Sequence, residues 1–114
     1  MTPEAFEKAA IALAGTTSQV QWGGEQVYKV GGKMFAVTDV AATRLSLKVS
    51  DIAFEALIDS GQARTAPYLA RAKWVRFDDL AALDDADVEG WLTNAHALVA
   101  AKLTRKARRE LGIA

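Results

Sequence analysis

Two adjacent glycines, Gly31 and Gly32, stand between the runs Gln26–Val30 and Lys33–Val37, both rich in Val, Tyr and Phe. A two-residue connection between antiparallel strands needs positive φ at both central residues, and glycine meets that demand without a Cβ clash. The pair therefore predicts a hairpin. Strand-like runs extend from Val20 to Val49, separated by a second turn at Gly23-Gly24 and by the segment Asp39 to Thr43, so the middle of the chain reads as a meander. Arg44 to Val49 alternates, with Leu45, Leu47 and Val49 on one face and Arg44, Ser46 and Lys48 on the other. One buried and one wet face is the pattern of an antiparallel sheet covered on one side only.

Helices flank this meander. Thr2 caps a first helix with Pro3 in its opening position, Phe6, Ala10 and Leu13 on one face, and Gly15 as its stop. Ser50 or Asp51 starts a second, striped by Phe54, Leu57 and Ile58 and ended by Gly61. A loop through Thr65, Ala66, Pro67 and Tyr68 leads to a strand over Lys73–Phe77. From Val88 through Trp91, Leu92, Ala95, Val99, Leu103 and Ala107 to Leu111 the apolar spacing predicts one helix over Asp85–Leu111. At about 1.5 Å per residue it spans about 40 Å, so its basic end overhangs the sheet. Gly90 within it costs about 1 kcal/mol relative to alanine. The order α-β-β-β-β-α-β-α, without a linker or repeat, predicts a single α+β domain over residues 1–114: an antiparallel sheet with helices on one face.

Charge narrows the function. Lys plus Arg number 14 and Asp plus Glu number 14, so no global field draws the chain to polyanions, and an electrostatic partner has to be met by a local patch. There is no cysteine, which removes disulfides and thiolate chemistry. Met1-Thr2-Pro3-Glu4 lacks a basic leader, and the longest apolar stretch, Ala9 to Gly15, is too short to span a bilayer. A cytoplasmic protein without a membrane partner is expected.

No constellation for catalysis emerges, and no catalytic residue, metal ligand or cofactor is assigned. His96, the one histidine, lacks HxH or HExxH spacing and any nucleophile beside it, and it reads as a packed or surface residue. Asp78, Asp79, Asp84, Asp85, Asp87 and Glu89 lack the order of a calcium loop and suit a helix N-terminus. Gly31-Gly32-Lys33 lacks the Walker spacing. The basic residues are more informative. Gly61 to Phe77 carries Arg64, Arg71, Lys73 and Arg76 and no acid, interleaved with Tyr68, Trp74 and Phe77; residues 26–50 add Lys29, Lys33, Arg44 and Lys48 against Asp39. The same residues also read as core aromatics with charges that solvate an open sheet face. Lys102, Arg105, Lys106 and Arg109 form a further stripe on the last helix, which dipole matching also explains.

Trp22, the run Tyr28 to Ala36, Leu45 to Lys48, Ala66-Pro67-Tyr68, Trp74-Val75, Leu98-Val99 and Lys102-Leu103 together resemble the MmcQ/YjbR family. The resemblance covers nearly the whole chain. It implies a frataxin-like (CyaY-like) two-layer sandwich and the family's label of DNA-binding protein, with no catalytic or base-reading residue to carry over. The Ser-Tyr that often precedes the late Leu-Val in that family is Ala95-His96 here. Frataxins hold iron on an acidic first helix, whereas only Glu4 and Glu7 are acidic in this one, which argues against iron delivery.

The leading expectation is a non-enzymatic DNA-binding module in which Lys29, Lys33, Arg44, Lys48, Arg71, Lys73 and Arg76 meet phosphates. The second is a protein-interaction or regulatory domain, homodimeric in one form, that uses the sheet face or the basic end of the last helix. The third is a small-molecule or metal site near Tyr68, Trp74 and His96.

Overall fold

The computed structural model, which describes residues 1–67, 69 and 72–113, gathers the strand runs into one antiparallel sheet. Its strands are β1 (Thr16–Gln21), β2 (Glu25–Val30), β3 (Lys33–Asp39), β4 (Leu45–Lys48), β5 (Arg64–Thr65) and β6 (Trp74–Phe77), in the order β1-β2-β3-β4-β6-β5. Gly31 and Gly32 turn with φ of 59° and 78°, and Val30 pairs with Lys33 across them. β1 begins earlier than the strand-like run at Val20, because Thr16–Gln19 complete the ladder with β2. The two-residue β5 falls where a loop was expected; it pairs with β6.

Alternation then builds the core. Tyr28, Ala36, Leu45, Leu47, Val75 and Phe77 are buried together with side chains from three helices. Phe6 and Ala10 come from α1 (Pro3–Ile11), Leu57 from α2 (Asp51–Ser60), and Val88, Leu92, Ala95 and Val99 from α3 (Asp85–Ala100). Each large apolar side chain so buried contributes about 1.5–3 kcal/mol. The helix ends follow local chemistry: the side chains of Thr2, Ser50 and Asp84 accept from the N–H groups of Ala5, Ala53 and Asp87, and Gly61 closes α2 in the left-handed region. The result is the expected α+β arrangement, with helices on one face of the sheet and the other face open.

The last helix differs from expectation. α3 stops at Ala100, and a separate helix, α4 (Arg105–Glu110), follows a turn. The apolar spacing of Leu103 and Leu111 serves another surface: a Cβ on Gly31 would lie 2.6 Å from Leu103 Cδ1, and a Cβ on Gly15 would lie 2.9 Å from Leu111 Cβ. Thr104 caps α4 by accepting from Ala107 N–H, while Arg108 donates to the carbonyls of Ala101 and Leu103 and so satisfies the end of α3. The chain folds back along the end of the sheet, and no 40 Å helix overhangs it.

Candidate functional site

The register assigns the basic residues to different ends of the sheet. At the end where the β2–β3 hairpin turns, called the rim below, Lys33 flanks the turn and Lys29 pairs with Met34. Lys48 pairs with Trp74 at the same end of β4, and the Lys73 carbonyl accepts from Val49 N–H beside it. Because Leu103 sits on Gly31, Lys102 and the start of α4 arrive here too. Burial first, and the neighbouring charge of Lys102 second, hold the Lys48 ammonium below its ordinary range, with Asp51 acting the other way. Lys48 Nζ donates to the Ala72 carbonyl at 2.6 Å, and Lys73 Nζ lies 4.8 Å from the centre of the Phe54 ring. Among the described residues, none of Lys29, Lys33, Lys102, Arg105, Lys106 and Arg109 takes part in an ion pair.

The opposite end is matched. Arg44 pairs with Glu25 at 3.7 Å, and Asp78 receives both Arg64 at 2.9 Å and Arg76 at 3.6 Å. Asp39 clasps the β3–β4 loop: its carboxylate accepts from the N–H groups of Thr43 (2.7 Å) and Arg44 (3.0 Å) and from the Thr43 hydroxyl. Burial would raise this carboxyl, but these hydrogen bonds outweigh it and bring it below its ordinary range. Asp84 caps α3, as acids at a helix start should. The seven-residue patch is thus divided. Lys29, Lys33, Lys48 and Lys73 belong to the rim and are joined by the Lys102–Arg109 segment. Arg44 and Arg76 lie in ion pairs, and Arg71 is outside the described residues.

The aromatic residues are also redistributed. Trp74 and Phe77 are buried, Phe77 stacking on Trp91 with ring centres 4.5 Å apart, so neither presents a stacking surface. Tyr68 lies outside the described residues. His96 is packed in the helix layer, with Nε2 2.7 Å from the Ala14 carbonyl and its ring edge-on to Phe35. Trp74 pairs with Lys48 on the sheet's open face, so the two do not line one cleft. Tyr28, in the core, is pushed up to about 12, by burial and then by the charge of Glu7.

One feature escaped sequence reasoning. The open face carries a cleft of about 560 Å³, lined by Trp22, Met34, Val37, Pro67 and Leu69 with Arg44 and Arg76 among its polar groups. Trp22 is 68% exposed and has a φ of 51°. The signal was a tryptophan immediately before Gly23-Gly24, where a turn leaves little room for burial. No group of three or more metal-binding side chains occurs among the described residues, and no helix there is long and apolar enough to cross a membrane.

Comparison with known proteins bears on this geometry. The family model described as YjbR matches residues 11–98, which is most of the chain. The chain belongs to the YjbR family. A crystal structure of the Deinococcus radiodurans protein DR2400, with the domain DUF419, superposes with a TM-score of 0.86 at 24% identity, covering 99% of this chain and 89% of that one. At that identity the likeness speaks for the YjbR fold alone. No curated protein matches the sequence.

Proposed function

We propose that this YjbR protein is a non-enzymatic DNA-binding module, cytoplasmic in setting, that meets phosphates with its rim. One observation carries the reading: Lys29, Lys33, Lys48 and Lys102, with Arg105 and Lys106, come from separate stretches of a neutral chain to one end of the sheet, without carboxylate partners among the described residues. The charge of Lys102 disfavours that of Lys48, and a phosphate bound beside Lys48 relieves that cost. The partner is the DNA backbone rather than base edges, because the described residues of the rim offer ammonium and guanidinium groups while Trp74 is buried. If about six cations neutralise phosphates, affinity for a labelled duplex falls roughly 10³-fold between about 50 and 200 mM salt. Binding no tighter than millimolar at low salt rejects the proposal.

A second reading rests on the cleft. Its volume lies in the usual range for small-ligand sites, and its lining is mostly apolar. In that reading the open sheet face holds an apolar small molecule or a partner protein's side chain. A thermal-shift panel of apolar and amphipathic ligands tests it; stabilisation that is lost in Val37→Glu supports it, and an unshifted melt across the panel counts against it.

A further inference from the structure

The two edges of the sheet are built differently. β5 is two residues long and carries Arg64, tied to Asp78. Short, charged edges of this kind resist pairing with another chain. β1 is the other edge. Its six residues, Thr16-Thr17-Ser18-Gln19-Val20-Gln21, include no charge and no proline, and no register shift occurs along its ladder with β2. Thr17, Gln19 and Val20 are exposed, and Val20, Trp22 and Val40 are among the exposed large apolar side chains. The Thr16 N–H is taken by the Leu13 carbonyl, and from Thr17 onward β1 is a terminal strand without charge, the kind of edge that serves as a template for strand addition.

Charge says which strand fits. At the start of β1, Thr17 pairs with Lys29, and Leu111 holds the end of basic α4 against Gly15. At its finish, Gln21 pairs with Glu25, which itself pairs with Asp39. The strand therefore runs from a basic end to an acidic one while carrying no charge of its own. An antiparallel copy of the same strand brings the basic end of each molecule beside the acidic end of the other, twice. We infer that β1 is a homodimerisation edge, in which two copies pair antiparallel about a two-fold axis to form one continuous sheet.

Keeping the helix layers on one side requires paired residues to face the same way. The axis therefore passes through Ser18, setting Thr17 opposite Gln19 of the second copy, or through Gln19, setting Thr17 opposite Gln21. The two-fold closes the assembly, because pairing consumes both β1 edges and leaves only the short charged β5 edges outside. This inference does not depend on the rim's binding DNA. An interface of about 20 Å of strand is at the small end, so the expected affinity is roughly micromolar.

Sedimentation velocity on the full chain, from roughly 1 to 500 µM, should show monomer passing to dimer, with the transition moving to higher concentration as salt rises. The double substitution Thr17→Glu with Gln19→Glu places like charges at the seam for either axis and should weaken the dimer by at least about tenfold. Both positions are exposed, and an unchanged melting temperature at low concentration shows that the fold persists. Because the chain has no cysteine, Ser18→Cys and Gln19→Cys read the register: one of them should oxidise to a disulfide dimer faster than Gln62→Cys, which lies beside the other edge. Monomer throughout the range, a dimer indifferent to the double substitution, or cross-linking no faster than at Gln62 would each overturn the inference. If a peptide of another protein pairs with β1 instead, the pure chain stays monomeric.

Discussion

At the rim, turn glycines admit the apolar knobs Leu103 and Leu111, and the cations around them have no acidic partner among the described residues. At the other end, carboxylates do the holding: Glu25 on Arg44, Asp78 on Arg64 and Arg76, Asp39 on a loop, Asp84 on a helix start. A chain of zero formal charge thus folds into a polarised body. Charge that is already matched inside the fold is poorly available to a partner, whereas Lys29, Lys33 and Lys102 at the rim form no ion pair among the described residues. The largest expected effect follows directly. Reversing Lys29, Lys33 and Lys102 to Glu together should lower duplex affinity by roughly 10²-fold or more and flatten its salt dependence. Reversing Arg44 and Arg76 should change it only severalfold. Fluorescence anisotropy at fixed salt measures both, and equal losses would erase the distinction between the ends.

The rim's architecture can be broken separately from its charge. Gly31 and Gly32 both have positive φ, but only Gly31 has a neighbour where a Cβ would go. Gly32→Ala should cost about 1–2 kcal/mol in left-handed strain. Gly31→Ala should cost about 1–3 kcal/mol more, because Leu103 has to shift and α4 loosens with it. Urea denaturation reads the difference between the two. Equal costs would mean that Leu103 swings aside freely and does not anchor the basic segment.

The matched end should respond to pH instead. Asp39 is held below its ordinary range in the fold, so its contribution is present above the unfolded value, about 3.9, and is lost as pH falls through the folded value. Asp39→Ala leaves two loop N–H groups without their acceptor and should cost about 1–2 kcal/mol at neutral pH. Its stability should fall less between about pH 5 and 2 than that of the parent chain. Melting temperatures across that range, parent against variant, test the sign.

How much of this was legible in the sequence varied with the range of the physics involved. The hairpin at Gly31-Gly32 and the faces of Leu45–Lys48 rest on local demands, φ and alternation, and both could be read directly. The break before α4 could not be read from periodicity, because Leu103 and Leu111 keep a helical spacing while packing against Gly31 and Gly15, far away in the chain. Thr104 is a good cap residue ahead of Ala107 and was a local sign of the break. Arg44 and Arg76 look equivalent to Lys29 and Lys48 in sequence. They differ only once the register brings Glu25 and Asp78 to them, and that is information about pairing rather than composition.

The smallest effect concerns the turns at the two ends. The rim turn uses glycine at both positive-φ positions, whereas the β1–β2 turn at the acidic end uses Trp22 with a φ of 51° beside Gly23 with a φ of 71°. A bulky residue in the left-handed region costs about 1–2 kcal/mol, and Trp22 recovers little of that by packing, since it is 68% exposed. Trp22→Gly relieves the strain but adds about 0.5–1 kcal/mol of unfolded-state freedom, so the net expectation is a gain of about 0.5–1 kcal/mol. An exposed, strained side chain that weakens its own fold is retained at a cost, and the cleft it lines and the β1 edge it adjoins are the two places where that cost can be offset. Denaturation of Trp22→Gly should therefore show a slightly more stable chain, with the dimer or the cleft ligand bound less tightly. A less stable variant would show that the indole supports the fold itself and that the contrast between the two turns has no functional content.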